Sequence, residues 1–252
     1  VADANLQSSY PELVLSMAGN GERMSEYSSV PKPLLPVKQQ PMYEFVSKFF
    51  PFSFKSIITT ENISNCIENK NDSSIEVLGR PINSQFKTLE KVAGRVFRKK
   101  RFFLASYYCF GIFDFQKFFN FVDKEEPDVV IFTFRLSKTQ RKVWSDYTHV
   151  SCNGDRVSNI HIKAKASKNG LGLAGFFWIN NGNILRKISD VPVDQENEMC
   201  ADHFFKYLIE QGANISCYEL SQYVHLGTHE ELNEFQFWLD HQSVFSKKLC
   251  DE

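Results

Sequence analysis

Long apolar runs are missing from this chain. None approaches the roughly 20 residues needed to cross a bilayer, so no membrane span is expected. Closely spaced cysteines are missing too. Cys66, Cys109, Cys152, Cys200, Cys217 and Cys250 are scattered, with no C-x-x-C pair. That spacing argues against a disulfide framework or a zinc knuckle and for a reducing, cytoplasmic setting. Nor does one sign of charge dominate: 29 Lys and Arg against 30 Asp and Glu give a formal net charge of −1. The wide basic field of a nonspecific nucleic-acid binder is thereby excluded, while local phosphate pockets are not. The first thirty residues lack a basic stretch followed by an apolar one, so no secretion signal is expected. Repeats, low-complexity segments and Pro/Gly/Ser-rich linkers are absent as well, which favours one domain over residues 1–252 with an appended β region. No Ser-His-Asp, H-E-x-x-H or thiol–base spacing supports hydrolase chemistry.

Phenylalanine is what the chain has in excess, with 24 copies, several in pairs such as Phe49-Phe50, Phe102-Phe103, Phe118-Phe119 and Phe204-Phe205. The expected use is a core filled by Phe in place of Leu or Ile, with one or two rings left to stack on a base or sugar. In the second half, such rings also leave a homodimer face or a pathway-enzyme partner open.

ELVLSMA (12–18) reads as a buried strand running into glycines. Met42, Phe45, Val46, Phe49 and Phe50 follow helical spacing, and KSIITT (55–60) and IEVLG (75–79) read as strands. Residues 85–94 are expected to be helical, RFFLASYY (101–108) extended, the segment with Phe115, Phe118, Phe119 and Val122 helical, and DVVIFTF (128–134) a strand. This alternation points to parallel βαβ units. The second half differs. Residues 147–163 read as a hairpin turning at Asn153-Gly154-Asp155, followed by a strand at 171–180, a helix near 200–211 and a strand at ISCYEL. Thr228 and Glu231 have capping-box spacing, which opens a last helix through about Gln242.

The stretch LSMAGNGERM (15–24), followed by PKPLLPV (31–37), carries the chemistry. A glycine loop after a strand exposes backbone N–H groups to an anion. Arg23 can add a bidentate fork and Lys32 a point charge, on a segment stiffened by Pro31 and Pro33.

Together these residues resemble the sugar-phosphate nucleotidyltransferases, the nucleotide-sugar pyrophosphorylases, whose signature is a G-x-G-T-R loop followed by P-K-P-L. QPMYEFV (40–46) and QYVHLGTHEEL (222–232) extend the resemblance to both ends of the chain, and its length resembles the short forms of capsule and surface-polysaccharide clusters. The resemblance implies an α/β, Rossmann-like three-layer nucleotidyltransferase fold, with a mainly parallel sheet and an added β-hairpin region. It implies an NTP and a sugar-1-phosphate as substrates, pyrophosphate release, and Mg²⁺ if the protein is active. It assigns catalytic roles to Arg23 and Lys32, nucleotide binding to Ala18, Gly19, Asn20, Gly21, Ser84 and Gln85, and sugar-phosphate binding to Lys163, Lys165 and Glu198.

Three positions depart from the pattern. Glu22 stands where the loop has Thr or Ser. Tyr108, flanked by Tyr107 and Cys109, stands where a metal-binding aspartate ends the central strand, and a neutral phenol or a soft thiol is a poor magnesium ligand. Asp114, the nearest carboxylate, reads as a helix cap. His225 stands where a second aspartate precedes Gly-Thr. Two readings follow: an active nucleotidyltransferase, or a catalytically inactive relative that binds nucleotide or sugar-phosphate as a regulatory or scaffold partner in surface-glycan synthesis.

Overall fold

Neighbouring residues of an extended chain point to opposite sides, so a strand without polar alternation needs cover on both faces. Phe102-Phe103 shows how this chain meets that need. The computed structural model describes residues 12–19, 21, 24, 26–50, 52, 55–67, 73–79, 81–82, 84–94, 101–135, 147–163, 171–192 and 199–250, with side chains described as far as 241. Phe102 joins one buried apolar cluster and Phe103 the other.

The elements run β1 (Glu12–Ser16), β2 (Pro36–Val37), β3 (Gln40–Pro41), α1 (Met42–Ser47), β4 (Lys55–Thr60), α2 (Glu61–Ser64), β5 (Ser73–Leu78), α3 (Gln85–Val92), β6 (Phe102–Ser106), β7 (Cys109–Ile112), α4 (Phe115–Glu125) and β8 (Val129–Phe134). Then follow β9 (His149–Asn153), β10 (Arg156–His161), β11 (Leu171–Ile179), α5 (Ala201–Glu210), β12 (Ile215–Glu219), β13 (Gln222–His225) and α6 (His229–Cys250). Short 3-10 segments lie at Lys32–Leu34 and Gly182–Asp190.

Nine strands form one sheet in the order β5-β4-β1-β6-β11-β8-β12-β10-β9. β5, β4, β1 and β6 pair in parallel, as do β8 and β12. The expectation of a mainly parallel sheet needs correction, because β11 lies antiparallel between β6 and β8, and the β9–β10 hairpin adds further antiparallel pairs. The sheet is therefore mixed. The hairpin turns where expected, with Asn153 opposite Arg156 and Gly154 at φ +60°.

On one face of the sheet, Met42 and Val46 of α1, Phe118 and Val122 of α4 and Leu232 of α6 pack with Leu13, Phe103, Phe132 and Trp178. On the other, Phe86 and Leu89 of α3 and Phe204, Phe205 and Leu208 of α5 pack with Val14, Leu104, Ile131 and Phe177. Phe103 lies against Phe50, Phe118, Phe132 and Trp178 with ring centroids 5.0–5.7 Å apart. Most of the surplus phenylalanine is thus core. Phe176, Phe177, Phe204 and Phe205 are all buried and offer no dimer face, whereas Phe237 and Trp238 on α6 are half exposed. No described helix is long and apolar enough to cross a membrane.

Candidate functional site

In an open α/β sheet the carboxyl ends of parallel strands leave a crevice, because the chain departs from them in different directions. Here β1, β4 and β6 end side by side at Ser16, Thr60 and Ser106, with Ser16 directly opposite Ser106. The glycine loop leaves β1 at this edge. A cavity of about 250 Å³ opens beside it, and Gly19, Gly21, Lys32, Thr60, Asn62 and Pro81 are among its lining residues.

Backbone constraints hold the loop in place. Ala18 is buried, and its carbonyl accepts from the Ile82 N–H at 2.9 Å. Gly21 adopts φ +66°, a left-handed conformation that costs other residues energy, and a Cβ there would sit 3.2 Å from Lys32 Cβ. A Cβ on Gly19 would meet nothing within 4 Å, so that position faces open space. Asn20, Glu22 and Arg23 lie outside the described residues.

Lys32 begins the 3-10 turn between Pro31 and Pro33 and is only 7% exposed. Its Nζ donates to the Gly227 carbonyl and lies 4.3 Å from the centre of the Tyr108 ring. The carbonyl and the ring face offset the hydration that burial removes from the ammonium. Two segments 195 residues apart in the chain meet at this lysine.

Tyr107 and Tyr108 form the turn between β6 and β7, so Tyr108 does stand at a strand end. β7 pairs antiparallel with β13, setting Cys109 opposite His225, and Leu226 N–H donates to the Tyr108 carbonyl at 2.7 Å. The Tyr108 and His225 rings meet edge to face at 5.3 Å. His225 Nδ1 donates to Glu231 Oε2 at 2.8 Å, and the same oxygen accepts from the Gly227 and Thr228 N–H groups at 3.0 and 2.9 Å. Glu231 N–H returns a bond to Thr228 Oγ1 at 3.3 Å, which completes the capping box that opens α6. A Cβ on Gly227 would lie 2.0 Å from the His225 ring, so a larger residue there would displace that ring. Burial pushes the Glu231 carboxyl up, but the bonds and charge from His225, with those from Thr228 and Gly227, outweigh it and leave the group below its ordinary value.

These donors do not fit a resident Mg²⁺, a hard cation that takes carboxylate and phosphate oxygen. Tyr108 offers a phenol. Cys109 offers a thiol whose pKa burial pushes up to about 12. Asp114 is committed to α4, where it accepts from Lys117 N–H at 3.0 Å, as the cap reading expected. Among the described residues, no group of three or more His, Cys, Asp and Glu is placed to hold a metal ion.

Of the remaining candidates, Ser84, Gln85 and Lys163 fall on described residues. Ser84 is buried, caps α3 by accepting from Lys87 N–H at 3.3 Å, and donates to the Met199 carbonyl. Its hydroxyl is therefore engaged in structure. Gln85 reaches the strand-end edge, its Nε2 lying 3.3 Å from Ser106 Oγ. Beyond Met199, the Asp202 carboxylate accepts from Thr148 Oγ1 at 2.6 Å. Burial pushes that carboxyl up, while Thr148, Cys200, His203 and the charge of Lys163 pull it back. The charge of Lys163 is thus felt at Asp202 in the first turn of α5; Glu198 and Lys165 lie outside the described residues. Sequence reasoning missed the Gly227 carbonyl and the Thr148–Asp202 pair. Only the capping-box spacing hinted at the first.

No family sequence model matches the chain, and no curated protein matches it by sequence. Solved structures do match in shape. One assigned as a glucose-1-phosphate thymidylyltransferase from Bacillus anthracis, in complex with a sucrose, has a TM-score of 0.72 at 14% identity over 89% of this chain and 93% of its own. A nucleoside-diphosphate-sugar pyrophosphorylase from Vibrio cholerae RC9 gives 0.69 at 17% identity over 89% and 99%. The inositol-1-phosphate CTP transferase from T. maritima gives 0.70 at 12% identity over 92% and 96%. At these identities the likeness establishes the fold: the chain has the mixed α/β architecture of its nucleotidyltransferase neighbours.

Proposed function

We propose that this chain binds the phosphates of a nucleoside triphosphate or nucleotide-sugar at the carboxyl ends of β1, β4 and β6, in a Rossmann-like three-layer scaffold of the short surface-polysaccharide type, and does so without nucleotidyl turnover. The observation that carries the binding is a cavity lined by Gly19 and Gly21 of the glycine loop, by Lys32 and by Thr60 at the end of β4. A glycine loop and a lysine lining one cavity suit a polyphosphate. Arg23 adds a second cation from the same loop. The silent reading draws on Tyr108 and His225, which meet edge to face where the resemblance calls for two metal-binding carboxylates.

A second reading, nucleotidyl transfer, is favoured by the preserved juxtaposition of Lys32 with the glycine loop. In it, a sugar-1-phosphate oxygen forms a bond to the α-phosphorus as the bond to pyrophosphate breaks. Arg23 and Lys32 would offset the charge gathering on the leaving phosphates, and Lys163, Lys165 and Glu198 would hold the acceptor. Gln85 and Ala18 border the nucleotide in both readings. Calorimetry with each common NTP, paired with pyrophosphate detection after adding Mg²⁺ and a panel of sugar-1-phosphates, separates the two. Binding without pyrophosphate is the expected result; steady release replaces the silent reading with the transferase, and absence of binding removes both.

A further inference from the structure

The phosphate-binding reading, on which this inference rests, leaves the charge at the end of β6 unexplained. A divalent cation entering between Tyr108 and His225 would meet the buried Lys32 ammonium, which is fixed by the Gly227 carbonyl and the Tyr108 ring face. Among the described residues, the groups around it do not compensate that repulsion. Tyr108 is a neutral phenol, burial keeps the Cys109 thiol protonated, and His225 already donates to Glu231. The Glu231 oxygen that faces this group serves three donors and opens α6. We propose that the phosphate site works without a divalent cation, the Lys32 ammonium standing where the metal's charge would otherwise be needed. Free polyphosphate is then the preferred ligand. Magnesium on the phosphate chain would neutralise the oxygens Lys32 contacts and compete with it for them.

The test is calorimetry with inorganic tripolyphosphate and with UTP, CTP, ATP, GTP and dTTP, each in EDTA and in millimolar MgCl₂. Wild-type protein should bind its best probe as tightly in EDTA as in Mg²⁺, or more tightly. Lys32→Met should weaken binding in EDTA about tenfold, the scale of a lost charge-assisted hydrogen bond. Tyr108→Asp places a carboxylate beside the ammonium and should reverse the preference, so that Mg²⁺ tightens binding. If Lys32→Met does not fold, the wild-type comparison and Tyr108→Asp carry the test. Wild-type binding about tenfold tighter in Mg²⁺ overturns the inference and leaves the phosphate-binding reading standing. No heat from any probe in either buffer defeats both.

Discussion

Glu231 concentrates three hydrogen bonds on one carboxylate oxygen, and with them the turn that carries Gly227 to Lys32. Replacing it by Ala should lower stability by about 1–2 kcal/mol, the range of a lost helix cap, measured by urea unfolding at neutral pH. Its folded pKa lies below its ordinary value of 4.5. The contribution is therefore complete above that value and is lost as pH falls through the folded pKa. Wild-type stability should drop more steeply than that of Glu231→Ala below about pH 4.5; parallel pH curves would show that Glu231 does not carry the effect. At Gly21, the positive φ and the nearby Lys32 Cβ predict that Gly21→Ala loses about 1 kcal/mol of stability and weakens phosphate binding, read by unfolding and calorimetry on the same sample. Unchanged affinity would place the ligand away from the loop.

Among the elements, α4 offers a direct check on the missing metal carboxylate. Asp114→Ala should cost about 1 kcal/mol through the lost cap and leave nucleotide affinity unchanged with or without Mg²⁺. A magnesium-dependent loss of affinity would instead make Asp114 a ligand. The helices and strands themselves were largely legible, since periods of 3.6 and 2 are written in local sequence: α4 from its Phe and Val spacing, the hairpin from Asn153-Gly154-Asp155. The place of β11 was not. Nothing in LGLAGFFWI says that it slots antiparallel between β6 and β8, because partner choice is settled by tertiary packing. The site divides in the same way. Lys32 and the glycines could be read from the motif, whereas the Gly227 carbonyl and the edge-to-face Tyr108–His225 contact arise from a β7–β13 pairing that links distant segments.

For the whole molecule, the two apolar faces of the sheet hold the strand ends in register, and Phe103 stands at the centre of one of them, buried among Phe50, Phe118, Phe132 and Trp178. Phe103→Ala should cost about 3–5 kcal/mol, and a loss under about 1 kcal/mol would contradict the packing described. The central claim is that the edge formed by β1, β4 and β6 is a phosphate site. Backbone amide NMR during titration with inorganic tripolyphosphate tests it most directly. The largest shifts should fall on Gly19, Gly21 and Lys32, which are among the residues lining the cavity. Saturable binding whose shifts cluster elsewhere, with these three amides unmoved, would contradict it.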